Sequence, residues 1–499
     1  LQQRWIFRYH YPIDELTVRR SDLFSIHFQK EATAMSKSTS TRRRFMQSAA
    51  AFAAASQLPE WFVRREAAMA EEAKESGPAP ATQPKLPVAL IGCGGRGTYV
   101  CEKEGPKHLQ VVAVCDVDQK NAATAAGKFK GAEVYTDFRK VMERKDIKAV
   151  VNGTPDHWHT LINIHALRQG KDVYGEKPLT LTIEEGQKVI EVVKETKGIL
   201  QTGSQQRSDK NFRLACELVR NGRVGKLSHV TTIVPTGGHA GPFSPQPVPE
   251  GLDWEMWQGQ APRREFLSER IHGLFRWWWE YSEGTITDWG AHHHDIVLWA
   301  MGLDRSGPIS IDGRGIGEPI KDGFTTFPSF YIEYLYPNGV THTSIAIPQT
   351  TPPFATEALL PDSERERLKN MPKTKSNDKG WRNGVRFEGS DGWIEVARGR
   401  IDASRPELLS DALPDNAIKL YHSDDHVGNF VQCVKSREEP ICPAEIGHRS
   451  ASVCHLGAIS CRLDRKLFWD PAKEEFTADE QANAMRSRPM HEPWGYEKV

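Results

Sequence analysis

"LPVALIGCGGRG", residues 86–97, decides how the rest of the chain is read. Leu86–Ile91 is a continuous apolar run, suited to a strand covered on both faces, and it enters Gly92-x-Gly94-x-x-Gly97 without a spacer. In a strand-turn-helix unit these glycines give a tight turn, close approach of backbone to a pyrophosphate, and close packing of helix on strand. Alone, the pattern also fits a glycine-rich turn that caps a helix with no ligand. It gains weight from "LQVVAVCD", a second strand ending in Asp116, 19 residues after Gly97. A carboxylate there can accept both ribose hydroxyls of an adenosine, with Asp118 as a rival. The same carboxylate would repel a 2'-phosphate, so the unit predicts NAD rather than NADP, held by Gly92, Gly94, Gly95, Arg96, Gly97 and Asp116.

Working outward, helical patterns over residues 119–129, 137–143 and 159–169 alternate with short strand signals at 133–135, 149–152 and "KDVYGEKP". That βα repetition predicts an α/β Rossmann domain with a parallel doubly wound sheet over residues 86–207. Ligands of such sheets bind beyond the carboxyl ends of the strands, where "GTPDHWH" (153–159) and "GEKP" (175–178) fall. Thr154, Pro155, His159 and Glu176 therefore join the expected cofactor set, and Lys177 projects toward its nicotinamide half. Residues 208–499 read differently. A helix over 208–221 and a strand over 227–234 are followed by "SFYIEYLYPNGVTHTSIAI" and "GVRFEGSDGWIEVARG", two hairpins with tight turns. They predict a C-terminal α+β domain with a largely antiparallel, open-faced sheet. Its open face suits a substrate or a homodimer or homotetramer contact. Residues 242–249 and 361–379 read as long surface loops.

The chain has 499 residues, and Lys+Arg balance Asp+Glu at 65 each, so no large field attracts nucleic acid or an anionic membrane. No run of 18 apolar residues is present to span a bilayer. Before the linker-like stretch 71–85, "TRRRFM" (41–46) and the Ala-rich segment 48–58 resemble a twin-arginine export signal over residues 35–70, with Ala68-Met69-Ala70 as a cleavage site. Residues 1–34 read as an upstream extension, disordered or outside the native start. The expectation is a periplasmic or otherwise exported protein, free of the membrane once the signal is cleaved. The eight cysteines show no CxxC pair and no zinc spacing, so no metal site is expected. A chain folded before export would keep them as buried thiols.

"LIGCGGRG", Asp116, "TPDHWH", "EKP" and "TDWGAHHHD", in this order, resemble the Gfo/Idh/MocA oxidoreductases, which include glucose-fructose oxidoreductase and inositol dehydrogenases. The resemblance covers residue 86 to the C-terminus and is similar to the exported branch of that family. It implies a carbohydrate substrate, with the EKP lysine and an Asp-x-x-x-His pair lining its site; here these are Lys177, Asp288 and His292. The residues support that chemistry. Ile296, Val297, Trp299, Ala300 and Met301 predict a helix beginning near Ala291, with Asp288 and His292 on its first turn and Asp295 three residues beyond His292. His292 can take a hydroxyl proton, Asp288 can orient the substrate or the imidazole, and Lys177 can stabilise charge on the reacting oxygen. Asp295 and Arg207 complete the expected substrate set, with Arg207 equally readable as the partner of a carboxylate. In "RWWWEY" (276–281) one of the three tryptophans is a candidate wall of the cleft, whereas Trp254, Trp257, His293, His294 and His426 read as packing or capping residues. The reading is an NAD-dependent oxidoreductase acting on a hydroxyl of a sugar, sugar acid or cyclitol. The alternatives are an exported glycosidase that keeps its NAD through oxidation, elimination and reduction, and a non-catalytic sugar-binding protein.

Overall fold

The apolar run Leu86–Ile91 forms β1, hydrogen bonded on both sides by parallel neighbours, which is why it lacks polar alternation. The computed structural model describes residues 58–75, 84–346 and 383–499, together with Asp362 and Glu366. The chain divides into two compact units, residues 1–80 and 81–499. In the first, the described part includes helix α1 (Glu60–Glu75), where Arg64 pairs with Glu60 one turn back. Arg42, Arg43 and residues 48–57 lie outside the described residues. Ala68-Met69-Ala70 and the first five residues of the expected linker are helical.

In the second unit β1 leads into α2 (Gly95–Tyr99), β2 (Leu109–Cys115), α3 (Gln119–Lys128), β3 (Glu133–Tyr135), α4 (Phe138–Met142), β4 (Ala149–Asn152), α5 (Asp156–Arg168), β5 (Asp172–Gly175), α6 (Ile183–Thr196) and β6 (Leu200–Thr202). The six strands form a parallel sheet in the order β3-β2-β1-β4-β5-β6. Helix α5 starts three residues earlier than its apolar periodicity predicts. Pro155 precedes it in an extended conformation and the Asp156 carboxylate lies in its first turn, where the helix dipole favours an anion.

The chain continues through α7 (Lys210–Arg220), β7 (Leu227–Val234), α8 (Trp254–Gln258), α9 (Thr285–Asp288), α10 (Gly290–Met301), β8 (Ser310–Ile316), β9 (Ser329–Leu335), β10 (Thr341–Ala346), β11 (Gly384–Gly389), β12 (Gly392–Ala397), β13 (Arg400–Ala403), α11 (His426–Ser436), α12 (Ala444–Leu463), β14 (Leu467–Asp470) and β15 (Glu475–Phe476). Here nine strands pair in the order β13-β12-β11-β7-β10-β9-β8-β14-β15, antiparallel except between β7 and β10. The expected helix over 208–221 is shorter, because Asp209 caps α7 through the N–H groups of Asn211 and Phe212. Of the two expected loops, 242–249 is irregular and largely exposed, and 361–379 lies outside the described residues apart from Asp362 and Glu366.

Three cores hold these layers. One face of the parallel sheet buries Ala89, Ile91 and Val150 under α5 and α6. The other buries Val88, Leu90 and Val151 with Val427, Phe430 and Val431 of α11, a helix from the far end of the chain. The second sheet packs Phe330, Ile332 and Tyr334 against Leu298 of α10 and Val453, Leu456 and Ile459 of α12. The parallel strands also end level: Ile91 is in register with Cys115 and Asn152, Asn152 with Gly175, and Gly175 with Thr202. Tyr135 of β3 is in register with Cys115 as well, so six connections leave one rim.

Candidate active site

Gly92 turns the chain out of β1 at φ +82°, and a Cβ there would lie 2.5 Å from Thr154 N. A Cβ on Gly97 would lie 2.4 Å from Gly92 O, and one on Gly153, which sequence reasoning did not single out, 2.5 Å from Gly97 Cα. Here backbone packs on backbone, joining the first turn to the β4–α5 loop. Gly94 and Gly95 differ: no atom lies within 4 Å of either Cβ position, so protein packing does not explain them. That open space lies beside the first N–H groups of α2, which have no intrahelical acceptor, and it fits a dinucleotide phosphate.

Asp116 is anchored at the next loop. Its Oδ2 accepts the Cys93 N–H at 2.8 Å and its Oδ1 the Asp118 N–H at 2.9 Å. Burial pushes its carboxyl pKa up against those two bonds, and each oxygen keeps a second lone pair for a hydroxyl. The rival Asp118 is engaged elsewhere, capping α3 through Lys120 N–H and lying 3.3 Å from His272 Nε2.

Several residues of the expected cofactor set also have protein partners that hold them in place. Arg96 donates to both oxygens of Glu104, at 2.9 and 3.0 Å, and to Glu176 Oε1 at 2.8 Å, so its guanidinium is held among carboxylates. Glu176 Oε1 also accepts from Gln205, while Oε2 is buried with no donor from the protein, an acceptor suited to a cofactor hydroxyl or amide. Thr154 donates from Oγ1 to Asn152 Oδ1 at 2.6 Å, and Pro155 sets the start of α5. His159 is buried with Nδ1 2.7 Å from Pro178 O and Nε2 2.9 Å from Thr154 O. It ties two rim loops together.

Beyond β5, Lys177 Nζ donates to Asp288 O at 2.5 Å and to Asp288 Oδ1 at 2.8 Å. Arg276 Nε donates to the same Oδ1 at 2.8 Å. Burial raises the Asp288 pKa, but Arg276 and Lys177 outweigh it and hold the carboxyl well below the usual range. Asp288 does not share the first turn of α10 as expected: it closes α9, with Trp289 between the two helices. His292 sits one turn on, its N–H bonded to Trp289 O and its buried Nδ1 without a protein partner. Burial first, then the Lys177 and Arg398 charges, push its pKa well below 6.5, so the ring is neutral at pH 7. An ammonium has three donors. Two of those on Lys177 meet Asp288, and the third is left for a ligand oxygen beside a neutral histidine.

Arg207 and Asp295 do not join this cluster. Both are buried, Arg207 Nε bonding Asp295 at 2.8 and 3.0 Å and its Nη2 bonding Asp304 at 2.7 Å, while Ser450 completes the Asp295 shell. The expected substrate contacts are replaced by a structural ion pair, the alternative already open for Arg207. His293 meets Asn383, and His294 meets Cys454 and Ser344. Each tryptophan of "RWWWEY" has a protein partner: Trp277 lies against Gly237 and Gly238, Trp278 is buried under Arg270, and Trp279 lies between Arg462 and Arg488. What sequence reasoning missed in that motif is its arginine, Arg276.

Two family profiles decide the relationship. "Oxidoreductase family, NAD-binding Rossmann fold" matches residues 86–204, and "Oxidoreductase family, C-terminal alpha/beta domain" matches residues 237–342 and 383–496. The chain belongs to the Gfo/Idh/MocA oxidoreductase family. Its relatives include scyllo-inositol 2-dehydrogenase (NAD(+)) of Bacillus subtilis, 26% identical over 47% of this chain and 59% of the relative. Another is myo-inositol 2-dehydrogenase of Thermotoga maritima, 29% identical over 37% of this chain and 52% of the relative. The chain thus spans about half the length of these curated relatives. Among solved structures, aldose-aldose oxidoreductase from Caulobacter crescentus, complexed with glycerol, shares the fold at a TM-score of 0.55 and 16% identity, over 77% of this chain and 100% of that one. Levoglucosan dehydrogenase, in complex with NADH and levoglucosan, does so at 0.54 and 17%, over 77% and 99%.

Proposed function

We propose that this Gfo/Idh/MocA protein oxidises a hydroxyl of a sugar, sugar acid or cyclitol with NAD. The observation that carries the proposal is the cluster of Lys177, Asp288 and His292 just beyond β5, on the rim that also holds the Gly92–Gly97 turn and Asp116. Relatives named as inositol dehydrogenases support the class. NAD, when bound, supplies the hydride acceptor, and Gly94, Gly95, Asp116 and Glu176 are the residues suited to hold it. Neutral His292 takes the proton of the substrate hydroxyl, and the third Lys177 donor meets the same oxygen as negative charge develops there. Asp288, fixed by Arg276, holds the ammonium in place before the substrate arrives.

The test is to incubate the purified chain with NAD and a panel of sugars, sugar acids and cyclitols, and to follow NADH. Net NADH from a panel member supports the proposal. Cleavage of a glycoside with no net NADH, by protein that retains its nucleotide, would replace it with the cofactor-recycling glycosidase. Binding without either reaction would leave a sugar-binding protein.

We also propose export by the twin-arginine route, on the strength of residues 41–46. Replacing Arg42 and Arg43 with Lys is expected to leave a folded, uncleaved precursor in the cytoplasm on cell fractionation. Unchanged export would overturn this reading.

A further inference from the structure

Arg398 stands at the tip of the β12–β13 hairpin, in the two-residue turn between Ala397 and Arg400, which pair across the strands. Its guanidinium lies over the Trp289 ring, 4.8 Å from the centroid, and the Trp289 ring lies 5.9 Å from that of His292. Arg398 is exposed, and among the described residues it forms no ion pair. The anions within its electrostatic reach are already engaged. Asp209 caps α7, Glu104 chelates Arg96, and Asp288 takes Lys177 and Arg276.

Cations and carboxylates alternate around the reacting position. Lys177, Arg276 and Arg398 supply three cations. Against them stand Asp288 and the buried Asp156, which is bonded to Ser282 and feels both Lys177 and Arg276. Of these three cations, Arg398 is the one that makes no ion pair with a carboxylate among the described residues. Contact with a ring uses no N–H donor, so the Arg398 fork is left for a bidentate acceptor, the geometry a carboxylate matches.

We infer that Arg398 selects an anionic substrate: a sugar acid whose carboxylate docks on the Arg398 fork while its hydroxyl reaches Lys177 and His292. This rests on the proposed sugar-oxidising reading and narrows its substrate class. Arg398 is a specificity residue here, with no part in proton or hydride movement.

The test uses the full chain with NADH bound and matched probes, D-glucuronate against D-glucose and D-galacturonate against D-galactose, titrated by calorimetry. Wild type should bind at least one acid more tightly than its neutral partner. Arg398→Gln should reduce that acid-to-neutral ratio about 10-fold to 100-fold, the range for a hydrogen bond to a charged group, and Arg398→Lys should retain part of it. Equal affinity for both members of each pair in wild type, or equal loss of both in Arg398→Gln, overturns the inference. So does a parallel fall in NADH affinity, which would assign Arg398 to the cofactor. Acid binding through Arg398 without NADH formation from any probe and NAD would keep the inference and defeat the oxidoreductase reading. NADH formation without acid preference would do the reverse.

Discussion

Lys177, with two of its donors on Asp288 and one left for a ligand, is the side chain on which the chemistry can be tested most directly. Lys177→Met keeps bulk and removes charge, so the hydride-transfer rate in single turnover should fall about 100-fold or more while NAD affinity changes little. His292→Ala should cause a similar fall, and the double variant should lose less than the product of the two, because both act on one oxygen and its proton. Loss of NAD binding with normal turnover at saturating cofactor would assign Lys177 to the nucleotide instead. Asp116→Ala should weaken NAD by about 1 to 3 kcal/mol and NADP less, and equal losses would mean that Asp116 does not read the ribose. At this scale Lys177, Asp288 and His292 were legible because they sit in short motifs whose order along the chain matches the family. Arg276 and Arg398 were not. Arginines are common, and only the loop before α9 and the β12–β13 turn bring these two to the cluster. Arg207 and Asp295 were visible as charges, but the burial that turns a charge from ligand contact to ion pair depends on packing that spacing does not show.

The Arg207–Asp295 pair joins the turn before α7 to the middle of α10, and so supports the helix that carries His292. Asp295→Ala leaves the buried guanidinium with Asp304 alone, and urea denaturation should show a loss of about 3 to 5 kcal/mol. A loss below about 1 kcal/mol would mean that Asp304 and water compensate. Most strands of the first sheet were readable because buried parallel strands are continuous apolar runs, and α3 and α4 because they begin at the polar caps Asp118 and Asp137. The two hairpins were readable from their turns. Helix α12 was not, since its 20 residues are buried almost all round and show no polar face to set the period. The β7–β10 pair was hidden for another reason: strands more than a hundred residues apart give no local sign that they will run parallel.

Across the molecule, the buried histidines make stability a function of pH. His157 and His294 are pushed down to about 3, and His293 and His426 to about 4, mainly by burial. Unfolded, the same rings take up protons near 6.5, so below that pH the unfolded state binds more protons and stability falls. Each ring contributes a slope of about 1.4 kcal/mol per pH unit between its two values. Glu185 opposes them. Burial raises it to about 7, so its contribution is lost as pH rises from about 4.5 to 7. The raised carboxyls of Glu104, Asp116, Asp156, Asp209, Asp295 and Glu395 act in the same sense, against a set of lowered rings that also includes His165, His292 and His342. Thermal unfolding should therefore show a midpoint that is nearly level above about pH 7 and falls steadily below about pH 6, and a midpoint that rises on acidification would contradict this. The packing of α11 against the first sheet has a consequence for the order of synthesis. β5 ends at Gly175, but α11, which covers Val88, Leu90 and Val151, is complete only at Ser436. At ribosomal speeds of about 5 to 20 residues per second, one face of the nascent nucleotide-binding sheet waits roughly 10 to 50 seconds for its cover. Chaperone occupancy on stalled ribosomes should accordingly persist until residues 426–436 have emerged, long after the last strand of that sheet.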